Sequence, residues 1–421
     1  MCVQLIISTA VSFRSVPKIL QSMGTFYGPP SWIPHFSSVI NWAQRVGLAL
    51  LKQVAPIQES WFAILDHSID IGVKKAFVVL RVRCDVLAKR GSAIRFEDCE
   101  CIGLRIRESS KGETICEDLK DIFKQSGDPA GFIKDNGAGL SRGIRLWNED
   151  AVKPAEIIDD VGHAMANALK SEFEKTDEFA LFRQTIGTGS AKLRQTTLAF
   201  LIPPKIRIKG RFQGIGRLAI WAKQLLRVLK EGGDAPQENA LEKLHQALPN
   251  FLQQQPFIEN FAQTVDLIHQ FWKSVKSKGL NKQTYEEGHQ LTLALPDNSK
   301  VRDKLIQWLD DHWVICQRMQ LGKTGMPVSS DIIESLFGKF KYMTERSPSA
   351  EMNRLALVIP VFCGIAPTAE ELGSHFSTCR QKDLIEWENE NISHTLRKRR
   401  KAFMDSQSAD MVDTKGSKNR E

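Results

Sequence analysis

The spacing of apolar residues along the chain changes period several times, and each change predicts a boundary. Up to about residue 58 the spacing is helical. Residues 12–20 read as a short helix after a turn. Val39, Ile40, Trp42, Ala43, Val46 and the apolar run 48–51 recur at the interval of a longer amphipathic helix. Two readings fit residues 1–58: the remnant of a helix-turn-helix, or a helical cap on the core that follows.

From residue 61 the texture becomes that of strands. Trp61, Phe62, Ala63, Ile64 and Leu65 form an apolar run that ends in Asp66. Residues 75–82 form a second run, and 99–107 alternate as a third. Ile115, Leu119, Ile122 and Phe123 return to helical spacing, with Gly127-Asp128-Pro129 as the stop. A short buried strand at 132–134 ends at Asp135. Residues 140–147 predict a helix, 156–158 a strand and 160–173 a helix. The order β-β-β-α-β-α-β-α describes an α/β sheet flanked by helices. Between 174 and 328 strand texture disappears and helical spacing dominates, at Leu218, Ile220, Trp221, Leu225, Leu226 and Leu229 and again over 241–248, 257–275 and 301–319. No run of about eighteen apolar residues is present, so no membrane span is expected.

Composition adds little until it is resolved along the chain. At 42% hydrophobic and 25% charged, a core can form, and disorder is expected only in the polar tail 386–421, which carries the basic run 396–401. The net charge is +8, and the excess is local. Between Glu178 and Glu231 there is no acidic residue, while Arg183, Lys192, Arg194, Lys205, Arg207, Lys209 and Arg211 are followed by four more cations. A solvated surface normally mixes signs. This segment is therefore expected to follow a phosphate backbone, giving affinity without sequence choice; the bland alternative is a basic helical scaffold that meets another subunit. The eight cysteines are scattered without zinc-like spacing, which predicts free thiols in a reducing compartment.

Three carboxylates stand where phosphodiester chemistry would need them. Asp66 and Asp135 each follow a buried strand, and a carboxylate at such an end is a hard-oxygen ligand suited to magnesium. Each alone is also ordinary turn chemistry, above all Asp135-Asn136-Gly137. Adjacency raises the functional reading: in the predicted order the first and fourth strands are parallel neighbours, so their carboxyl ends meet. Glu334 lies in a predicted helix with Ile332, Ile333, Leu336, Phe337 and Phe340 on its apolar side; Glu334, Gly338 and Lys341 share another stripe. No nucleophile elbow or P-loop offers a rival chemistry.

These residues resemble a family, the DDE transposases of prokaryotic insertion sequences, and in particular their Mutator-related branch. Asp135-Asn136-Gly137 looks like the D-x-G turn after the fourth strand. Asp160-Val161-Gly162-His163 matches the C/D-x-x-H motif, and Glu334 with Lys341 looks like the E-x6-K signature of the catalytic helix. The resemblance spans roughly residues 60–345. It implies a ribonuclease-H-like mixed sheet flanked by helices and interrupted by a large all-α insertion. The implied division is 1–58 helical, 59–173 core, 174–328 basic insertion, 329–385 the rest of the core with the catalytic helix, and 386–421 the tail.

The implied activity is strand cleavage and strand transfer at element ends, with two Mg2+ ions (Mn2+ as a substitute) on Asp66, Asp135 and Glu334. Asp159, Asp160, His163 and Lys341 would support the site. The implied partner is double-stranded DNA, bound by a homodimer or higher multimer in the cytoplasm at the nucleoid. The doublet Asp159-Asp160 leaves open a second assignment, in which it replaces Asp135 as ligand. Two further functions stay open: a catalytically inactive or domesticated transposase that binds DNA, and a ribonuclease-H-like nuclease.

Overall fold

The computed structural model describes residues 1–9, 11–28, 32–71, 74–91, 93–205, 212, 214–231, 239–344, 353–392, 400 and 402–405. The opening helical spacing forms α1 (Cys2–Ser8), α2 (Ser15–Tyr27) and α3 (Phe36–Lys52). The strand-textured stretch forms β1 (Trp61–Ile71), β2 (Lys74–Arg83), the short α4 (Cys84–Arg90) and β3 (Cys99–Arg107). Then α5 (Gly112–Ser126), β4 (Gly131–Lys134), α6 (Ala138–Asp150) and β5 (Glu156–Asp159) alternate. A long helical stretch follows: α7 (Val161–Phe173), α8 (Asp177–Leu193), α9 (Gly216–Glu231), α10 (Ala240–Ala247), α11 (Gln255–Lys278), α12 (Lys282–Thr292) and α13 (Lys300–Arg318). The chain closes with α14 (Asp331–Thr344), α15 (Ala369–Thr378) and α16 (Gln381–Asn391).

The sheet has the order β3-β2-β1-β4-β5. β1 pairs antiparallel with β2, β2 antiparallel with β3, and β1 parallel with β4. This mixed five-stranded sheet with flanking helices is the expected ribonuclease-H-like fold. Its connections follow from strand chemistry: three consecutive strands pair as neighbours, and parallel β4 is reached through the α5 crossover.

The chain divides into two compact units, one of residues 1–86, 94–157 and 330–421, the other of residues 87–93 and 158–329. In the first unit one face of the sheet carries a core of Trp61, Ala63, Leu65, Phe77, Val79 and Phe132, closed by Ile115, Leu119, Ile122 and Phe123 of α5 and by Leu140, Ile144 and Trp147 of α6. Phe123, Phe132 and Trp147 meet edge-on or tilted at 5.2–5.8 Å between ring centres. Side chains alternate along a strand, so Phe62, Ile64 and Asp66 of β1 belong to the opposite face. α14 packs on β1, and α3 packs on β3 and on the 3-10 turns Arg354–Val358 and Pro360–Phe362. Within α3 only Ser37 and Lys52 are exposed.

The second unit is mostly helical in its described residues. α9 packs on α11, α7 on α11 and α13, and α12 on α13. Its core is aromatic: Phe179, Phe182, Phe251 and Phe261 are fully buried, and Phe173, Phe179 and Phe182 each contact the Phe261 ring at 5.1–6.0 Å.

Three sequence expectations need correction. β1 does not end at Asp66; it runs to Ile71, with a shift of register between His67 and Ile69. The helix α7, expected in the core by a boundary after residue 173, groups with the second unit, because it packs on α11 and α13. Residues 386–391, expected in a disordered tail, form the end of α16, where Trp387 and Ile392 are buried. The basic run 396–401 lies outside the described residues except Arg400.

Candidate active site

The position of the first aspartate follows from register. β1 and β4 are paired as far as Leu65 and Lys134, so Asp66 and Asp135 are the next residues on two parallel neighbours. Alternation directs both to the sheet face opposite the α5–α6 core, since Leu65 and Phe132 point into that core. In open sheets the crevice beyond the carboxyl ends of parallel strands is where ligands bind. Both aspartates are half-buried.

Local hydrogen bonds orient them. The Asp66 carboxylate accepts the backbone N–H of His67 at 2.6 Å. Asp135 Oδ1 accepts the Gly137 N–H at 2.9 Å, an Asx turn that leads into α6. Here the glycine is required by close approach. A Cβ at Gly137 would lie 2.8 Å from Asp135 Oδ1, so any side chain would displace the carboxylate.

Glu334 sits in the first turn of α14, on an exposed part of the helix that packs on β1. Ile333, Leu336, Phe337 and Phe340 are buried, which fixes the helix and turns Glu334, Gly338 and Lys341 away from the core. A Cβ at Gly338 would meet nothing within 4 Å, so the helix surface is open at that step.

Three hard-oxygen side chains suit a divalent cation in donor chemistry. The two aspartates are the next residues on neighbouring parallel strands. Among the described residues, however, no three of His, Cys, Asp and Glu stand in a group that could hold a metal ion. The arrangement is therefore a pair on adjacent strands plus a carboxylate on the helix packed against β1.

The neighbours of the aspartates are unusual, and sequence reasoning missed them. Lys134 is buried at 4% exposure on the α5–α6 face, and its ammonium donates to the Asp135 carbonyl at 3.3 Å. His67 stacks on Phe77 at 4.5 Å between ring centres, and its Nε2 is buried without a partner. Burial, with Lys75 adding to it, pushes its imidazole down to about 4. A titratable residue immediately beside each aspartate in the sequence, His67 and Lys134, was the available signal.

The doublet Asp159-Asp160 ends β5 and opens α7. β4, not β5, is the neighbour of β1. Within the second unit the Asp159 N–H donates to His312 Nε2 at 3.0 Å, and its carbonyl accepts from Trp308 Nε1 at 3.2 Å. Asp160 is the N-cap of α7: its fully buried Oδ1 accepts the His163 N–H at 2.7 Å and lies 3.0 Å from His163 Nδ1. The D-x-x-H spacing thus closes one turn of helix on itself, with the imidazole steered by the capping carboxylate.

Of the expected DNA-contacting residues, Arg183 in the middle of α8, Lys192 and Arg194 at its end and Lys205 beyond it are exposed. Lys192 donates to the Gln246 carbonyl at 3.3 Å. Arg207, Lys209 and Arg211 lie outside the described residues. No helix among the described residues is long and apolar enough to cross a membrane.

The fold class defined by the sheet is ribonuclease-H-like. No family model matches the chain, and no curated protein matches it in sequence. Among solved structures the chain is similar to the Drosophila P element transposase strand transfer complex, with 11% identity, 88% of this chain and 91% of that chain covered, and a TM-score of 0.43.

Proposed function

We propose that the chain is a DDE-type DNA transposase that cleaves and joins DNA strands, with Asp66, Asp135 and Glu334 as its acidic triad. The observation that carries this reading is the register of β1 against β4, which makes Asp66 and Asp135 neighbours at the carboxyl end of a parallel pair. Glu334 on α14 supplies the third carboxylate from the helix packed on β1. The E-x6-K spacing with Lys341 and the D-x-x-H turn at Asp160 point to the Mutator-related branch of insertion sequences.

In this reading Asp66, Asp135 and Glu334 hold Mg2+. When bound, the metal would polarise the scissile phosphate and lower the pKa of the attacking hydroxyl. The chain itself holds the carboxylates in place. Asp66 is oriented by the His67 N–H and Asp135 by the Gly137 N–H, so neither has to reorganise when DNA arrives. Glu334 completes the set as DNA docks, and Lys341 pairs with a phosphate. The cations of α8 and the segment after it hold the duplex by its backbone, within a homodimer or higher multimer.

The test is a supercoiled plasmid carrying the flanks of the chain's own gene, incubated with purified protein and Mg2+ or Mn2+. Cleavage at discrete flank positions that is lost in both Asp66→Asn and Asp135→Asn supports the proposal. A second reading is favoured by one observation, the lack of a metal-holding trio among the described residues. It is a DNA-binding protein of transposase descent that no longer cuts. Wild-type protein that binds the plasmid but leaves it intact in either metal would establish that reading.

A further inference from the structure

The helix α2 carries one continuous apolar stripe, and only half of it is covered. Val16, Leu20, Met23 and Tyr27 follow one another at steps of four, three and four, with Phe26 on the flank. α2 packs on α1 and α3. In its first half the stripe is buried, Val16 fully and Leu20 at 4% exposure. In its second half the same stripe is bare: Met23 is 41% exposed, and Phe26 and Tyr27 are each 84% exposed. From Gln21 to Tyr27 every residue except Gly24 is exposed, and a Cβ at Gly28 would meet nothing within 4 Å. A short helix gains most of its stability by burying its apolar face, so these last two turns lack the contact that their sequence provides for.

The chain that follows has the same character. Trp32 rests on the Trp42 ring of α3 at 5.8 Å between centres and is still 61% exposed, and Ile33 is 38% exposed. Large apolar side chains so exposed and so close along the chain mark an interaction surface. Charge indicates what it meets. From residue 19 to residue 44 there is no Asp, Glu, Lys or Arg, the longest uncharged stretch of the chain. A DNA backbone, an anionic membrane or an acidic protein is held by cations, and this stretch offers none. Depletion of charge with enrichment in Trp, Tyr, Phe and Met is the composition of the centre of a protein–protein interface.

We infer that the bare end of α2 is the surface through which two copies of this chain pair. The chain carries a net charge of +8, so two copies repel over most of their surfaces. An uncharged stripe is where they can meet without that cost. A twofold axis through the stripe sets one patch against its own copy, the arrangement of most homodimers. Met23, Phe26, Tyr27, Trp32 and Ile33 from two copies would together remove about 1,000–1,400 Å² from water, at the lower end of specific interfaces. The inference uses none of the residues assigned to cleavage and holds whether or not the chain cuts DNA.

The experiment is sedimentation velocity on the nuclease-treated full chain over a concentration series, at low and at high salt. The expected result is a monomer–dimer equilibrium that persists at high salt, where association bridged by nucleic acid is lost. The double variant Phe26→Ser, Tyr27→Lys should raise the dimer dissociation constant at least about thirtyfold, as loss of a central aromatic anchor does. Both side chains are exposed, so its melting temperature and circular dichroism should match the wild type. Leu293→Lys removes a side chain that is 67% exposed in the second unit and should leave the dimer intact. A monomer at every concentration overturns the inference, including one that floats with lipid vesicles and so assigns the patch to a membrane. A dimer unaffected by the double variant, one equally weakened by Leu293→Lys, or one that dissociates in salt also overturns it. Asp66→Asn is expected to leave the dimer unchanged, so this inference and the proposed cleavage can fail separately.

Discussion

Replacing Asp160 by alanine should destabilise the second unit without touching the chemistry directly. The carboxylate is fully buried; it accepts the His163 N–H at 2.7 Å and lies 3.0 Å from the His163 ring nitrogen. Loss of an N-cap costs about 1 kcal/mol. A hydrogen bond to a buried charged group adds about 1.5–3 kcal/mol, of which water reaching the half-exposed imidazole recovers a part. The sum expected is about 2–3 kcal/mol. For a unit of about 180 residues this lowers the melting temperature by roughly 5–10 °C. Asp160→Asn keeps an acceptor at the cap and should cost less than half as much. Differential scanning calorimetry measures both, and hydrogen exchange at Ala164 and Met165 localises the loss to the first turn of α7. An unchanged melting temperature in Asp160→Ala, together with complete loss of strand cleavage, would refute the reasoning and make Asp160 the second metal ligand.

Other outcomes follow from the same structure. Gly137→Ala places a methyl against Asp135 Oδ1, and cleavage should fall about a hundredfold at unchanged far-UV circular dichroism. His67 is neutral in the fold, with its pKa depressed from 6.5 to about 4, while the unfolded chain protonates near 6.5. Stability is thus fully present above pH 6.5 and lost as pH falls from there toward 4, by up to ~3 kcal/mol. Urea titrations in EDTA should show this slope, and His67→Leu should remove it. Phe132→Ala empties the centre of the α5–α6 core and should cost about 3–5 kcal/mol in urea unfolding. Reversing Lys205, Arg207, Lys209 and Arg211 together should weaken duplex binding and flatten its dependence on salt; unchanged binding would remove that segment from the interface.

The order of strands was legible because each apolar run is short and bounded by turn residues, from Trp61–Leu65 through Gly131–Ile133 to Glu156–Ile158. The length of β1 was not. Beyond Asp66 it pairs with β2 but no longer with β4, and with Asp66, His67, Ser68 and Asp70 in the sequence this stretch reads as a turn. The adjacency of Asp66 and Asp135 was an inference from topology, which no local pattern shows; it needed the parallel pairing of β1 with β4. The face on which Lys134 is buried was hidden for a related reason, since only alternation along β4 places it on the α5–α6 side. The D-x-x-H spacing was visible as a motif, yet its work as a helix cap depends on the side-chain rotamer of Asp160, which spacing does not reveal.

The central claim is that Asp66 and Asp135 share a metal with Glu334 when DNA is present. The most direct measurement is anomalous scattering from Mn2+ in crystals of the chain with a duplex from the flank of its gene. The account predicts a peak within ligand distance, about 2.0–2.4 Å, of oxygens from Asp66 and Asp135, with Glu334 turned toward it. A well-ordered complex with no peak there, or a peak on Asp159 or Asp160 in its place, would contradict it.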